Sequence, residues 1–136
     1  MALTVNRTLS DGGTTASFEQ VSDGGAENNT IVNTSGLSGT FGAGPHLVRV
    51  IRVLALVCDN GVAGGSVSLY WHNPAGVDVE FLTLPIGTTD LRTTFTPTVL
   101  NQTGDIIITS TGGNISYTIQ LVVEKTTGFP NSNTHW

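Results

Sequence analysis

The side chains that could carry out acid–base or metal chemistry are few in this chain of 136 residues and are widely spaced. Its histidines lack the His-x-His or His-x₃-His spacing that places two metal ligands on one face; they are His46, His72 and His135. Asp78 and Glu80 share one face of a predicted strand, as a carboxylate pair would. A glycosidase pair needs an apolar or aromatic cleft to raise one pKa, whereas these two alternate with apolar residues as on a solvated face. We therefore predict no catalytic residue, no cofactor and no metal, and a protein that is not an enzyme.

Two glycine-rich motifs could in principle bind phosphate or calcium. The stretch 36–45 resembles a phosphate-binding loop, but such a loop leads into a helix N-terminus, and this one ends at Pro45 before a β-branched segment. Ser-Asp-Gly-Gly occurs at 10–13 and at 22–25 and supplies one carboxylate each time, whereas a calcium loop brings three or more oxygen ligands. We interpret the first motif as a flexible connection or arm and the other two as turns.

The composition argues against several classes of partner. Charged residues make up 11% of the chain and the net charge is −5, with five scattered cations. Nucleic-acid binding needs clustered Lys and Arg, so we expect none. No apolar run approaches the roughly 18 residues of a membrane span, and the first ten residues lack the apolar core of a signal peptide. We expect synthesis in a host cytoplasm without a signal peptide and no membrane contact; the single cysteine excludes an intrachain disulfide.

The clearest structural pattern begins at Ile115, where apolar and polar residues alternate. Successive strand side chains point to opposite faces, so one set of residues should form a buried face: Ile115, Tyr117, Ile119, Leu121 and Val123. The β-branched run 106–108 precedes it, and residues 109–114 include two glycines that tolerate a tight reversal. We predict a β-hairpin from these two strands.

The densest apolar run, 47–58, fits either a helix or a buried strand by periodicity alone. Its many β-branched residues favour a strand packed on both faces. Strict alternation would then place Arg49 and Arg52 on opposite faces.

A second hairpin is predicted from residues 66–84, around a turn at 73–76 with Pro and Gly in type I positions. Its inward-facing residues should be Val67, Leu69, Trp71, Val77, Val79 and Phe81. A further strand is predicted over 91–100, where Pro97 suggests an edge or a bulge.

These elements predict an all-β fold, a two-sheet antiparallel sandwich that is jelly-roll-like, with about eight strands and a glycine-rich N-terminal segment. We expect a single domain over 1–136, divided into an N-terminal meander or arm (1–45), a sandwich core (46–125) and a C-terminal tail (126–136).

The overall pattern resembles the capsid decoration or cement proteins of tailed bacteriophages. The resemblance lies in the segments "TLSDGGTTASFEQVSDGG" and "TGDIIITSTGGNISYTIQLVVEK" of a β-only chain. It implies a structural protein of the virion, a jelly-roll or sandwich trimer that binds the major capsid protein or another virion protein and stiffens the shell. No functional residues of that group can be placed on this sequence.

Low charge also favours a homo-oligomer, with a trimer preferred. Apolar residues make up 38% of the chain, and soluble proteins usually protect β edges with Lys or Pro, of which this chain has few; a symmetric assembly would cover those edges. Residues expected to contact subunits or partners are Phe18, Phe41, Phe129, His135 and Trp136. The alternatives are a carbohydrate- or receptor-binding module, such as a tail-fibre tip, and an enzyme or other soluble β domain.

Overall fold

The structure is a computed structural model, and it describes residues 3–12, 14–22, 27–33, 37, 47–59, 66–73, 77–96, 105–111 and 115–127. Within these ranges the chain forms nine β-strands and no helix. The strands are β1 Leu3–Asp11, β2 Thr15–Ser22, β3 Glu27–Val32, β4 Leu47–Asp59, β5 Ser66–Trp71, β6 Val79–Leu84, β7 Gly87–Leu91, β8 Ile106–Thr111 and β9 Ile115–Thr127.

Strands β2 to β9 pair as one long hairpin rolled into two layers. β2 pairs with β9, β3 with β8, β4 with β7 and β5 with β6, all antiparallel. Rolling places β9 beside β4 and β8 beside β5, which gives a five-stranded sheet in the order β1-β2-β9-β4-β7 and a four-stranded sheet in the order β3-β8-β5-β6. This nesting is the strand order of a jelly roll. The predicted two-sheet, jelly-roll-like sandwich is therefore confirmed.

The core lies between the two sheets, and β9 follows the predicted alternation. Every residue predicted to face inward on β9, from Ile115 to Val123, is at most 2% exposed. On β5, Trp71 is 1% exposed, as predicted, and its ring stacks on Phe81 at a centroid distance of 4.6 Å. Alternation of apolar and polar residues thus identified the buried face of both strands.

The predicted hairpin of β8 and β9 is wrong, although both strands exist. β8 pairs with β3 and β5 in the four-stranded sheet, whereas β9 pairs with β2 and β4 in the five-stranded sheet. The two strands therefore lie in different sheets, and their inward side chains belong to opposite layers. A glycine-rich connection permits a reversal within one sheet or between two sheets, so the turn residues could not distinguish the two outcomes.

The run 47–58 is a strand, as predicted, but a bulge changes which of its residues face the core. The pairing of β4 with β9 shifts register between Val50 and Arg52, which makes Ile51 an additional residue. Buried positions are even before the shift and odd after it: Val48 and Val50, then Val53, Ala55 and Val57. Arg49 pairs across from Glu124 and Arg52 across from Val122. The two arginines thus lie on the same outer face, not on opposite faces as predicted.

The β5–β6 hairpin is confirmed, but its second strand begins later than predicted. Val77 precedes β6 and is 85% exposed, so its inward assignment is wrong. A further register shift makes Phe81 an additional residue in β6. Strand β7 lies at 87–91, before most of the predicted 91–100 segment. In the described part of that segment, 91–96, Phe95 forms an isolated bridge with Val50. The edge or bulge predicted at Pro97 lies outside the described residues.

Residues before position 45 form part of the sandwich. β1 pairs with β2, β2 pairs with β9, and β3 forms one edge of the four-stranded sheet. Because β1 is the fifth strand of its sheet and faces a sheet of only four, it extends past the edge strand β3. This overhang positions the groove described below.

Candidate functional site

The outer face of the five-stranded sheet, the face turned away from the other sheet, carries ion pairs between neighbouring strands. Arg7 on β1 lies 2.7 Å from Glu19 on β2, and Arg52 on β4 lies 3.3 Å from Asp90 on β7. Arg49 and Glu124 form a third pair, between β4 and β9. The bulge in β4 makes this arrangement possible, because it brings Arg52 to the same face as Arg49. Charges on this face are thus largely neutralised within the subunit.

Glu19 has the most complete set of partners on this face. The Gln120 side-chain amide donates to its Oε2 atom at 3.0 Å, and Arg7 donates to Oε1 at 2.9 Å. The hydrogen bond from Gln120, followed by that from Arg7, holds the pKa of Glu19 below its usual value. A carboxylate with this surrounding remains ionised and fixed in position.

A weakly polar strip, here called the Leu56 patch, lies beside these ion pairs on the same face. Its centre is one row of directly opposed residues across four strands, together with the neighbouring Leu54: Val21, Thr118, Leu56, Thr88 and Leu54. Leu56 is 48% exposed within this chain. A shallow depression of about 310 Å³ lies around Leu54 and Leu56. The patch presents aliphatic and hydroxyl groups without charge.

The charges are divided unequally between the two sheets. The five Lys and Arg residues all lie on the five-stranded sheet or directly after it, and the four strands of the other sheet contain none. Each cation has a carboxylate within 4.0 Å. Carboxylates outside these pairs include Asp78, Glu80 and Asp105, which lie on the four-stranded sheet or at its ends. The net negative charge therefore belongs mainly to that side of the molecule.

A groove of about 470 Å³ lies where β1 extends past β3. Its hydrogen-bonding walls include two amide and two hydroxyl side chains: Asn6, Thr8, Thr30 and Asn33. Its apolar lining comes from Phe18, Ile31, Leu37 and Ile107. Ligand sites of 300–1,000 Å³ commonly combine apolar walls with a few positioned polar groups. Size and lining make this groove the best candidate for a small-molecule or glycan site in the described part of the chain.

Side chains of the five-stranded sheet hold the open edge of β3 at the groove. Asn6 Nδ2 donates to the Thr30 carbonyl oxygen at 3.1 Å, and Gln20 Nε2 approaches the same oxygen at 3.5 Å. Gln20 is fully buried, and its Oε1 atom accepts a 2.7 Å hydrogen bond from the Tyr117 hydroxyl. This chain of contacts joins the core to the groove and fixes the distance between the sheets there.

His72 lines the groove at the end of β5, beside a fixed carboxylate. Its Nδ1 atom lies 3.0 Å from Asp78 Oδ1, which also accepts a 2.9 Å hydrogen bond from the Asn73 amide. Because the Asp78 carboxylate accepts, Nδ1 carries a proton and donates this hydrogen bond. The ring is thereby oriented, although no sequence motif pointed to the contact.

The carboxylates of Asp78 and Glu80 have separate partners. Asp78 contacts His72 and Asn73, whereas Glu80 accepts a hydrogen bond from the Thr83 hydroxyl. Hydrogen bonds from Thr83 and then Ser68 lower the pKa of Glu80. A general acid needs a raised pKa, so the shift at Glu80 runs in the opposite direction.

Lys125 is the one buried cation among the described residues. Its side chain is fully buried, and its Nζ atom lies 2.6 Å from Asp11 Oδ1 and 2.5 Å from the Gly12 carbonyl oxygen. The Lys125 backbone amide also donates to the Thr14 carbonyl at 2.8 Å. These contacts fasten the β1–β2 connection to the end of β9. No sequence pattern indicated this role, because Lys125 continues the apolar phase of β9.

The predicted contact residues fall mostly outside the described ranges. Phe41, Phe129, His135 and Trp136 lie there, as does His46. Phe18 is described and is 3% exposed, packed in the core beside the groove. A subunit or partner contact stays a prediction for the five residues named in the sequence analysis: Phe18, Phe41, Phe129, His135 and Trp136.

Among the described residues, no three His, Cys, Asp or Glu side chains are grouped so that they could hold a metal ion. The same residues include no helix with the length and apolarity needed to cross a membrane. Comparison of the chain with protein-family models, with curated proteins and with solved structures found no match in any of the three.

Proposed function

We propose that this chain is a non-enzymatic structural protein of a bacteriophage virion, which binds and stabilises the capsid as a decoration or cement protein. The observation that carries the proposal is the outer face of the five-stranded sheet, where three ion pairs lie to one side of the uncharged Leu56 patch. The resemblance to decoration proteins is the reason for naming a bacteriophage capsid as the partner.

A face of this type suits contact with another protein layer. Burying an unpaired charge costs several kcal/mol, typically about 3–5 when one partner of a buried pair is missing. Arg7, Arg49 and Arg52 already have carboxylate partners in the subunit, so a partner could cover this face without supplying matching charges. Leu56, at 48% exposure, offers apolar area that such a contact would bury. We assign this face to the major capsid protein.

The opposite side of the molecule suits exposure to solvent. The four-stranded sheet has no Lys or Arg and carries carboxylates on and near its strands. Like charges on neighbouring particles repel, which opposes aggregation. In this orientation the acidic side of each subunit would face outward from the shell.

We also propose that the subunits form a trimer. The chain's single lysine, Lys125, is buried and so protects no sheet edge. Among the described strands, β7 is an edge strand that pairs with β4 on one side, and an unprotected edge favours pairing with another chain. A symmetric trimer would cover such edges, and Phe129 and Trp136 remain candidates for its contacts.

Binding to shells with a matched pair of variants tests the proposal. Capsids of the native phage, stripped of this protein, are incubated with wild type, Leu56→Asp or Val77→Asp, and bound protein is measured after sedimentation. Wild type and Val77→Asp, which makes the same kind of change just before β6 of the four-stranded sheet, should bind, whereas Leu56→Asp should not. Leu56 is 48% exposed and Val77 is 85% exposed, so both variants should fold, as circular dichroism can verify. Failure of wild type to bind, or equal binding by the two variants, would reject this assignment.

A further inference from the structure

We propose that the groove between β1 and β3 is a binding site for a neutral saccharide chain. The site is independent of the shell-binding face, because it lies at the opposite edge of the five-stranded sheet from β7 and away from the Leu56 patch. The protein would then have two separate contacts, one with a shell and one with a glycan.

The chemistry of the walls matches a hydroxyl-rich, uncharged ligand. Amides and hydroxyls both donate and accept hydrogen bonds, as sugar hydroxyls do. The Thr8 hydroxyl and the Asn6 Oδ1 atom have no hydrogen-bond partner among the described residues, so both can bond a ligand. Ile107 is half-buried and offers an apolar surface for the C–H face of a sugar ring. The volume of about 470 Å³ accommodates a short oligosaccharide segment.

The charges at the groove disfavour anionic ligands. Arg7 belongs to the lining, but its guanidinium is paired with Glu19 at 2.7 Å on the outer face of the five-stranded sheet. Asp105 also lines the groove, and the His72 ring is engaged with Asp78 at 3.0 Å. A phosphate or sulfate group would therefore meet a carboxylate, with the arginine already neutralised by Glu19. Sulfated or phosphorylated chains should bind less well than neutral ones.

The edge of β3 also disfavours an extended peptide. A peptide that adds to a sheet edge needs the free backbone carbonyls of that edge. Here the Thr30 carbonyl already accepts the Asn6 amide at 3.1 Å, and the buried Gln20 supports it from the core. An added strand would have to displace these side chains. A saccharide leaves them in place and can use the remaining groups of Asn6, so its site is already organised before binding.

Titration with defined glycans tests the assignment. The probes are neutral oligosaccharides of glucose, mannose, galactose and N-acetylglucosamine, with a heparin oligosaccharide and a threonine-rich peptide as comparisons. At least one neutral probe should bind with a millimolar or lower Kd, and amide NMR shifts should concentrate at Asn6, Thr8 and Thr30. Thr8→Val removes one hydroxyl from an exposed residue while keeping its shape, and it should weaken that binding about fivefold. Thr94→Val, the same change at an exposed residue outside both the groove and the Leu56 patch, should bind like wild type.

Several results would overturn the saccharide site. They are the absence of binding by all four neutral probes, tighter binding of heparin or of the peptide, and equal affinities of Thr8→Val and wild type. Shifts concentrated on the Leu56 patch would also reject it. Loss of shell binding by Leu56→Asp with glycan binding unchanged would show that the two contacts are separate.

Discussion

Lys125 offers the most direct test of how the N-terminal strands are held in the sandwich. Lys125→Met keeps an unbranched apolar side chain in a fully buried position but removes the ammonium group from Asp11 and Gly12. Breaking a buried ion pair costs about 3–5 kcal/mol, mostly because the remaining charge is left buried. Asp11 retains 23% side-chain exposure, so water can solvate part of it. The Gly12 carbonyl, left without its donor, adds to the cost.

We therefore expect Lys125→Met to lower the free energy of unfolding by about 2–3 kcal/mol. For a chain of this length, that corresponds to a fall in Tm of roughly 6–12 °C. Chemical and thermal denaturation followed by circular dichroism measure both quantities. Hydrogen exchange should also accelerate at Gly12, whose amide donates to the Thr15 carbonyl at 2.8 Å, because that connection loses its attachment to β9.

The double variant Lys125→Met/Asp11→Asn isolates the interaction between the two side chains. If the ion pair dominates, the double variant should be less destabilised than the sum of the two single variants. Additive effects, or a change in Tm of less than about 2 °C for Lys125→Met, would refute the reasoning. They would mean that the lysine contributes packing alone.

Two further predictions concern Glu19 and Trp71. The folded pKa of Glu19 is depressed by Gln120 and Arg7, so its contribution to stability is present above the unfolded pKa and is lost as pH falls through the folded pKa. Glu19→Gln should therefore reduce the loss of stability at acid pH, which urea titrations at successive pH values measure. An unchanged loss of stability at acid pH would contradict the contacts. Trp71 Nε1 is buried without a hydrogen-bond partner among the described residues, so Trp71→Phe removes an unsatisfied donor and should cost less than about 1.5 kcal/mol. Trp71→Ala should cost about 3–5 kcal/mol. Guanidinium denaturation measures the free energy of unfolding of both variants, and equal losses for Trp71→Phe and Trp71→Ala would show that the indole N–H is satisfied.

Local patterns predicted the strands, because apolar and polar residues alternate along a strand that buries one face. Ile115 to Val123 and Val67 to Trp71 face the core as their alternation indicated. Pairing between strands was less predictable. The connection between β8 and β9 has ordinary turn residues, yet it crosses from one sheet to the other. A bulge has no strong sequence signal either, so Ile51 and its effect on Arg52 were missed.

The groove and the anchor at Lys125 could not be predicted, because their residues come together only through the sheet order. Asn6, Thr30 and Ile107 lie on three strands far apart in sequence. Lys125 follows an apolar run and pairs with a residue 114 positions earlier. β7 was not predicted, for a different reason. Among the described strands it pairs through its backbone with β4, at the edge of the sheet, so "GTTDL" needs little apolar alternation. Gly87 begins this strand at a φ of 112°, which favours glycine.

The placement of every Lys and Arg on or beside one sheet gives the molecule an electric dipole moment directed across the sandwich. The five-stranded sheet is close to neutral, and the negative end lies at the four-stranded sheet. Near an acidic surface, the molecule would experience a torque that turns the five-stranded sheet toward that surface before contact. This orientation weakens at distances beyond the Debye length of about 8 Å in physiological salt. Added salt should therefore weaken the orientation, and it should also screen the repulsion between an acidic partner and a chain whose net charge is −5.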